Sequence, residues 1–154
     1  MNINRVFGIN LEINEKKAES LKKDLSKILN NEDRIGYYKP KDIKKIINSK
    51  LLNDGWTEKL KVYRDNDKYI HFYKNGIGLQ VQMGHYGQAY VDILKLSLAH
   101  SKNKIDLGAM ILLGDKDAKF GNNASFENIS SDLNEYNSFI DCPIILLEIE
   151  WKYD

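Results

Sequence analysis

The chain has 154 residues, of which 42% are hydrophobic and 29% are charged, and its formal net charge is +1. This balance is typical of a single globular domain and excludes a disordered chain and a collagen-like chain. No uncharged apolar run reaches the about 18 residues that a membrane span needs, and the single cysteine excludes a disulfide framework.

The first residues, MNINRVFG, contain no apolar signal-peptide core, so we expect a cytoplasmic protein with no membrane partner. Two amphipathic helices are predicted next, and each has apolar residues at helical spacing. The first runs from residue 15 to 29 behind Asn14 as N-cap, and the second begins at Pro40 and ends at Gly55. Their apolar stripes comprise Leu21, Leu25, Ile28 and Leu29, and Ile43, Ile46, Ile47 and Leu51.

After Trp56 the apolar period changes from about 3.6 to 2, which predicts strands. A short strand at Leu60 and Val62 and a polar turn at 64–67 precede two longer strands, 69–74 and 77–83. Asn75-Gly76 between the longer strands predicts a hairpin with a type I′ turn. The second arm alternates apolar and polar residues, so we expect one apolar face and one polar face.

The remaining chain predicts a helix at 88–99, apolar on most sides and therefore buried, and a core strand at 105–113. A polar loop at 116–125, a short helix near 126–133 and a last strand at 144–151 follow. These elements predict an α/β (α+β) fold, in which a mixed central sheet is flanked by helices.

A two-residue hairpin loop fixes the register, pairing Phe72 with Leu79 and His71 with Gln80. Gln82 lies two residues further along the same face, opposite Tyr69. We therefore expect His71, Gln80 and Gln82 to converge on one polar patch. Such groups either satisfy one another, line a solvated face, or form a functional site.

The segment 70–96, IHFYKNGIGLQVQMGHYGQAYVDILKL, resembles the restriction endonucleases of the BamHI and BglII type. Further segments resemble that family in the same order: a helix ending in Gly55-Trp56, the strand KIDLGA at 104–109, and CPIILLEIE at 142–150. The resemblance implies a single domain over 1–154, with a PD-(D/E)xK-like, restriction-endonuclease-like core at 40–151 and an N-terminal helical extension at 1–39. It also implies a homodimer.

The resemblance places the family's acidic metal ligand at His71 and its glutamate at Gln80, whereas Gln82 matches a glutamine that BglII-type members use. Mg²⁺ prefers carboxylate oxygen, so we expect weak or absent Mg²⁺ binding and assign no confident catalytic residue. We also expect no cofactor; Mg²⁺ would be the cofactor only if the chain were an active nuclease. Two alternatives stay open. One is a softer metal bound by His71 and His85. The other is a replacement carboxylate drawn from Asp65, Asp67, Glu148 and Glu150.

We expect nucleic-acid contacts from Lys74, His85, Lys116 and Lys119. Asp92, on a buried helix, must find a polar partner. The first functional hypothesis is a catalytically impaired, restriction-endonuclease-like protein, a pseudo-nuclease that binds duplex DNA. The second is a protein-interaction module on a retired nuclease scaffold, such as a phage or mobile-element inhibitor of a nucleic-acid-based defence system (an anti-defence protein). The third is an active Mg²⁺-dependent DNA endonuclease.

Overall fold

The computed structural model describes residues 1–30, 39–63, 68–118 and 122–150. Six strands form one sheet in the order β1-β6-β5-β4-β3-β2. The strands are β1 (Asn2–Ile9), β2 (Thr57–Lys61), β3 (Tyr69–Lys74), β4 (Ile77–Val81), β5 (Leu107–Leu113) and β6 (Ile144–Glu150). β4, β5 and β6 are mutually parallel, and the outer pairs β1–β6, β3–β4 and β2–β3 are antiparallel. The predicted mixed sheet is confirmed.

Helices cover both faces of the sheet. They are α1 (Glu15–Leu29), α2 (Pro40–Asn53), α3 (Tyr86–Ser101) and α4 (Phe126–Tyr136), followed by a 3₁₀ turn at Asn137–Phe139. Alternate residues of β5 point to opposite layers: Ala109 and Ile111 pack with α1 and α2, whereas Met110 and Leu112 pack with α3 and α4. Every residue of β5 is buried, as expected for a central parallel strand. None of the helices in the described ranges combines the length and apolar composition of a membrane span.

Two turns depend on positive φ angles. Asn75 and Gly76 have φ values of 50° and 78°, which confirms the predicted type I′ hairpin. Gly55 has a φ of 85° after α2, and the N–H of Trp56 donates to the carbonyl of Leu51 at 3.1 Å. This Schellman arrangement lets the buried Trp56 join the core cluster that contains Leu51.

One strand was missed, and one expectation was wrong. β1 was not predicted, although Ile3, Phe7 and Ile9 alternate with other residues, and it pairs with β6 at the sheet edge. α3 is not buried all round, because the side chains of Val91 and Leu94 are 37% and 68% exposed. The first 39 residues therefore contribute a strand as well as a helix. The predicted turn at 64–67, with Asp65 and Asp67, lies outside the described residues.

Candidate functional site

His71 and Gln80 lie where the β3–β4 backbone ladder stops. Its last Cα pair is Phe72 with Leu79, so the predicted ladder pairs of His71 with Gln80 and of Tyr69 with Gln82 do not form. Side chains bridge the strands instead. The N–H of His71 donates to Oε1 of Gln80 at 3.2 Å, and the N–H of Val81 donates to Nδ1 of His71 at 3.2 Å. Each side chain therefore reaches the backbone of the opposite strand, and these two hydrogen bonds stand in place of the backbone ladder.

Gln82 connects this junction to α3. Its Nε2 donates to Oδ2 of Asp92 at 2.7 Å, and its Oε1 accepts from the N–H of Gly84 at 2.7 Å. Gln80 is 0% exposed and Gln82 is 3% exposed. The polar face of β4 is thus buried, which excludes the alternative of a solvated face at Gln80 and Gln82.

Asp92 is the carboxylate of the site and is 1% exposed. Its Oδ1 accepts from Nζ of Lys95 at 3.1 Å and from Nε2 of Gln88 at 3.3 Å. Asp92 therefore has the polar partners that were expected: it forms an ion pair with Lys95 and accepts hydrogen bonds from the carboxamides of Gln82 and Gln88. A buried carboxylate needs such partners, because leaving it unpaired costs several kcal/mol or more.

The site carries a second cation, Lys44 of α2. Burial lowers the pKa of the Lys44 ammonium, Lys95 lowers it further, and Asp92 acts in the opposite direction. Burial and the field of Lys44 lower the pKa of His71 to about 4, and Lys95 adds to this effect. His71 is therefore neutral near pH 7 and lies in a positive local field.

The tautomer of His71 follows from its hydrogen bond. Because Nδ1 accepts from the N–H of Val81, Nδ1 carries no proton, and the neutral ring keeps its proton on Nε2. Neither ring nitrogen then offers a free lone pair. His71 presents an N–H donor to the site.

These groups do not fit a divalent cation. The oxygens of Gln80 and Gln82 already accept backbone N–H groups, and the carboxylate of Asp92 already accepts from Lys95, Gln82 and Gln88. Two nearby ammonium groups repel a cation further. Within the described ranges, no three His, Cys, Asp or Glu side chains are grouped to hold a metal. The chemistry of this donor set opposes the Mg²⁺ that a PD-(D/E)xK nuclease uses and the softer metal considered for His71 and His85.

Of the proposed replacement carboxylates, the two that the structure describes, Glu148 and Glu150, do not complete the site. Glu148 accepts from Nε of Arg5 at 2.6 Å and from Nδ2 of Asn4 at 2.9 Å, so it belongs to a separate ion-pair cluster on β1 and β6. Arg5 also pairs with Glu127 of α4. Glu150 is exposed at the last position of β6.

The residues predicted to contact nucleic acid are scattered. Lys74 lies at the hairpin turn, roughly 16 Å along β4 from Gln82, and its Nζ pairs with Oδ2 of Asp54 at 2.9 Å. His85 is exposed beyond β4, where its Nδ1 accepts from the N–H of Gly87. Lys116 is exposed in the turn after β5, and Lys119 lies outside the described residues.

The loop containing His85 pairs with the polar loop. His85 forms an isolated β-bridge with Asn123, and the N–H of Ala124 donates to the carbonyl of Gly84 at 2.8 Å. The structure thus joins the end of β4 to residues 122–124, although the predicted contacts with nucleic acid stay predictions.

Sequence reasoning missed Lys44 and Lys95 as members of the site. The signal for Lys95 was present, because it lies three residues after Asp92 on one helix and can face it. Lys44 gave only a weaker signal, its place between Ile43 and Ile47 at the edge of the apolar stripe of α2.

A sequence model of the family described as restriction endonuclease BglII/BglIII matches residues 9–149. The chain belongs to this family. Its fold is similar to that of restriction endonuclease BglII complexed with a DNA 16-mer, with a TM-score of 0.81 and 18% identity over 100% of this chain and 80% of that one. Free BglII gives a TM-score of 0.70 and 16% identity, covering 100% of this chain and 82% of that one. No curated protein matches the chain in sequence. The resemblance to this family and the restriction-endonuclease-like fold are confirmed.

Proposed function

We propose that this chain is a duplex-DNA-binding member of the BglII/BglIII restriction endonuclease family in which metal-dependent hydrolysis is lost or severely impaired. The observation that carries the proposal is the hydrogen bond from the N–H of Val81 to Nδ1 of His71. It leaves a protonated Nε2 at the position where the family resemblance implies a carboxylate. The site then lacks the anionic oxygen that Mg²⁺ requires.

DNA binding is supported by the family and by the charge of the site. A solved relative of the same fold is described as a complex with a DNA 16-mer. In this chain the positive charges of Lys44 and Lys95 and the negative charge of Asp92 act on His71, and this balance favours a polyanion over a cation. Replacing carboxylates by neutral groups also removes repulsion of the phosphate backbone.

The test of DNA binding is a titration of labelled duplex DNA with EDTA present, repeated from about 50 to 200 mM salt. A protein that contacts several phosphates loses at least about tenfold in affinity over this range, because counterions are released on binding. Absence of binding at the lowest salt concentration would contradict the proposal and favour the interaction module.

The second candidate, an interaction module for a protein such as a component of a nucleic-acid-based defence system, is favoured by exposed apolar side chains. Val91 and Leu94 of α3 and Tyr136 of α4 are 37%, 68% and 51% exposed. α3 and α4 are tied together through Asp132, whose carboxylate accepts from the hydroxyl groups of Tyr86 and Tyr90. An apolar surface on two joined helices suits a protein partner, including a second copy in a homodimer.

The third candidate, an active nuclease, is consistent with family membership. It requires cleavage of DNA in the presence of Mg²⁺, Mn²⁺ or Ni²⁺. The donor set around His71 opposes it, so we place it after the other two.

A further inference from the structure

Lys59 of β2 holds a backbone conformation that lysine rarely adopts. In the described ranges, the non-glycine residues with positive φ are three asparagines, Asn10, Asn75 and Asn103, and Lys59, whose φ is 60°. Asparagine visits this left-handed region routinely, whereas a lysine there brings its Cβ close to the backbone. Lys59 also lies inside the strand Thr57–Lys61, where φ is ordinarily negative. Such an outlier needs a reason in packing or in function.

Packing gives no such reason for Lys59. Its side chain is exposed, and within the described ranges its ammonium group forms no ion pair and has no hydrogen-bond acceptor. Its Nζ lies 5.5 Å from the centre of the Tyr69 ring, a cation–π contact that contributes only modestly at an exposed position. The N–H bonds of this ammonium group are therefore available to a ligand.

Lys59 lies beside the site around His71. In the antiparallel β2–β3 ladder Glu58 pairs with Phe72, so the next position of β2, Lys59, stands level with His71. Neighbouring strands are about 4.8 Å apart, so the two backbones are adjacent. β2 is the outer strand, and nothing in the described part of the chain continues the sheet beyond it. A ligand as long as duplex DNA that covers His71 can therefore also contact the edge of β2.

The edge of β2 is positively charged. Nζ of Lys104 donates to the carbonyl of Lys61 at 2.7 Å, and Nζ of Lys102 donates to the carbonyl of the next residue at 3.3 Å. These two ammonium groups are therefore anchored to the end of the strand. Four lysines, Lys59, Lys61, Lys102 and Lys104, and one carboxylate of the same strand, Glu58, give this edge a formal charge of +3. Such a charge suits the phosphate backbone of a nucleic acid.

We propose that Lys59 binds a phosphate of the DNA backbone next to the site around His71. The inference deepens the proposed function and rests on it, because the ligand is the duplex DNA proposed there. A positive φ changes the direction of the Cα–Cβ bond from that of a regular strand, so the strained conformation of Lys59 serves to place its ammonium group. A charged donor forms a stronger hydrogen bond with phosphate than a neutral donor does. Lys59 thus contributes to DNA binding and not to metal binding.

The test titrates the full chain with labelled duplex DNA in the presence of EDTA, at several salt concentrations between about 50 and 200 mM. Each lost phosphate contact makes the slope of log affinity against log salt less steep by about 1. Lys59→Gln removes the charge, so the slope should change by about 1 and the affinity at the lowest salt should fall at least about fivefold. Lys59→Arg keeps the charge and should retain the wild-type affinity within about twofold.

Lys16→Gln is the matched control, because it changes the net charge by the same amount at a distant position. Lys16 is exposed on α1, next to Lys17, whose Nζ donates to the carbonyl of Asn75 at 3.4 Å, at the opposite end of the hairpin from His71. Salt screens charges that are far from the bound DNA, so this variant should keep the wild-type slope and an affinity within about twofold. Equal losses in Lys59→Gln and Lys16→Gln would reveal a general charge effect and overturn the inference.

Lys59→Asn separates DNA binding from folding. Asparagine tolerates a positive φ, so the urea midpoint of this variant should be at or above that of the wild type. Its salt slope should change as in Lys59→Gln. A lower urea midpoint together with an unchanged salt slope would assign Lys59 to the fold and overturn the inference.

The outcomes distinguish this inference from the proposed function. If the wild type binds DNA and Lys59→Gln matches it in slope and affinity, the inference is overturned and the proposed function stands. If the wild type binds no DNA at the lowest salt concentration, the proposed function is contradicted and the inference fails with it.

Discussion

The N–H of Val81 donates to Nδ1 of His71 at 3.2 Å, at the point where the β3–β4 ladder ends. A histidine side chain thus satisfies a backbone donor of the neighbouring strand. This relationship fixes the imidazole as a donor toward the rest of the site and uses the lone pair that a metal would need. The proposed loss of metal-dependent hydrolysis depends on this change in the character of the site.

The protonation of His71 gives the first prediction. Its pKa of about 4 lies below the ordinary value near 6.5, so the folded state binds this proton less well than the unfolded state. Stability should therefore rise between about pH 4 and 6.5 and be fully present above that range. A two-dimensional NMR titration should give a midpoint near pH 4 and an Nε2-protonated ring at pH 7.

The corresponding variant is His71→Asn, whose Oδ1 can replace Nδ1 as the acceptor for Val81. Urea unfolding of this variant should vary less with pH between about 4 and 6.5 than unfolding of the wild type. The difference should be on the order of 2 kcal/mol over the range, from the size of the pKa shift. A His71 midpoint near pH 6.5 would contradict the structure of the site.

Restoring carboxylates should restore cation binding. His71→Asp with Gln80→Glu introduces two anionic oxygens where the wild type has neutral groups, and Mg²⁺ affinity should become measurable by calorimetry. His71→Asn with Gln80 retained is the neutral counterpart of nearly the same shape, and it should bind Mg²⁺ no better than the wild type. If the double variant folds and its Mg²⁺ binding is unchanged, the assignment of these positions is wrong.

We predict that Glu148 stabilises the fold and takes no part in ligand binding at the site around His71. Its carboxylate is 4% exposed and is paired with Arg5, which is partly exposed. Glu148→Gln should lower the free energy of unfolding by about 1–3 kcal/mol, since it leaves Arg5 without its main partner. Urea denaturation measures this loss. The DNA affinity should stay within about twofold of the wild type, and a large loss of DNA affinity would place Glu148 in the site.

The exposed apolar residues of α3 predict an interface. Leu94→Glu places a charge on the most exposed apolar side chain of that helix, and it should raise the dissociation constant of any dimer by at least about tenfold. Analytical ultracentrifugation over a range of concentrations measures this effect. Lys102→Glu, near the end of the same helix, changes a polar position and serves as the control. A wild type that is monomeric at all concentrations would exclude the homodimer but not a different partner.

Much of the fold could be predicted from local patterns. The bounds of α1 and the start of α2 at Pro40 followed from apolar spacing and end residues, and Asn75-Gly76 fixed the hairpin. β1 was missed because an edge strand needs only a few inward-facing apolar residues, and Asn4 and Arg5 interrupt its pattern.

The site was only partly predictable for a physical reason. Hairpin register brought His71 and Gln80 together, but it assumed a continuous ladder. Two side chains bond to backbone groups in place of that ladder, and a pattern of residue types does not show such a substitution. Lys44 joins the site through the packing of α2, which is a tertiary relationship that neither strand encodes.

The claim that this chain binds duplex DNA without cutting it is tested most directly by incubation with genomic DNA that contains every six-base sequence, in buffer with Mg²⁺ and low salt. The complexes are resolved on a native gel, and the strands are then resolved on a denaturing gel. We predict retarded DNA on the first gel and intact strands on the second. Discrete cleavage products would show that the site still works as a metal-dependent nuclease and would contradict the central claim.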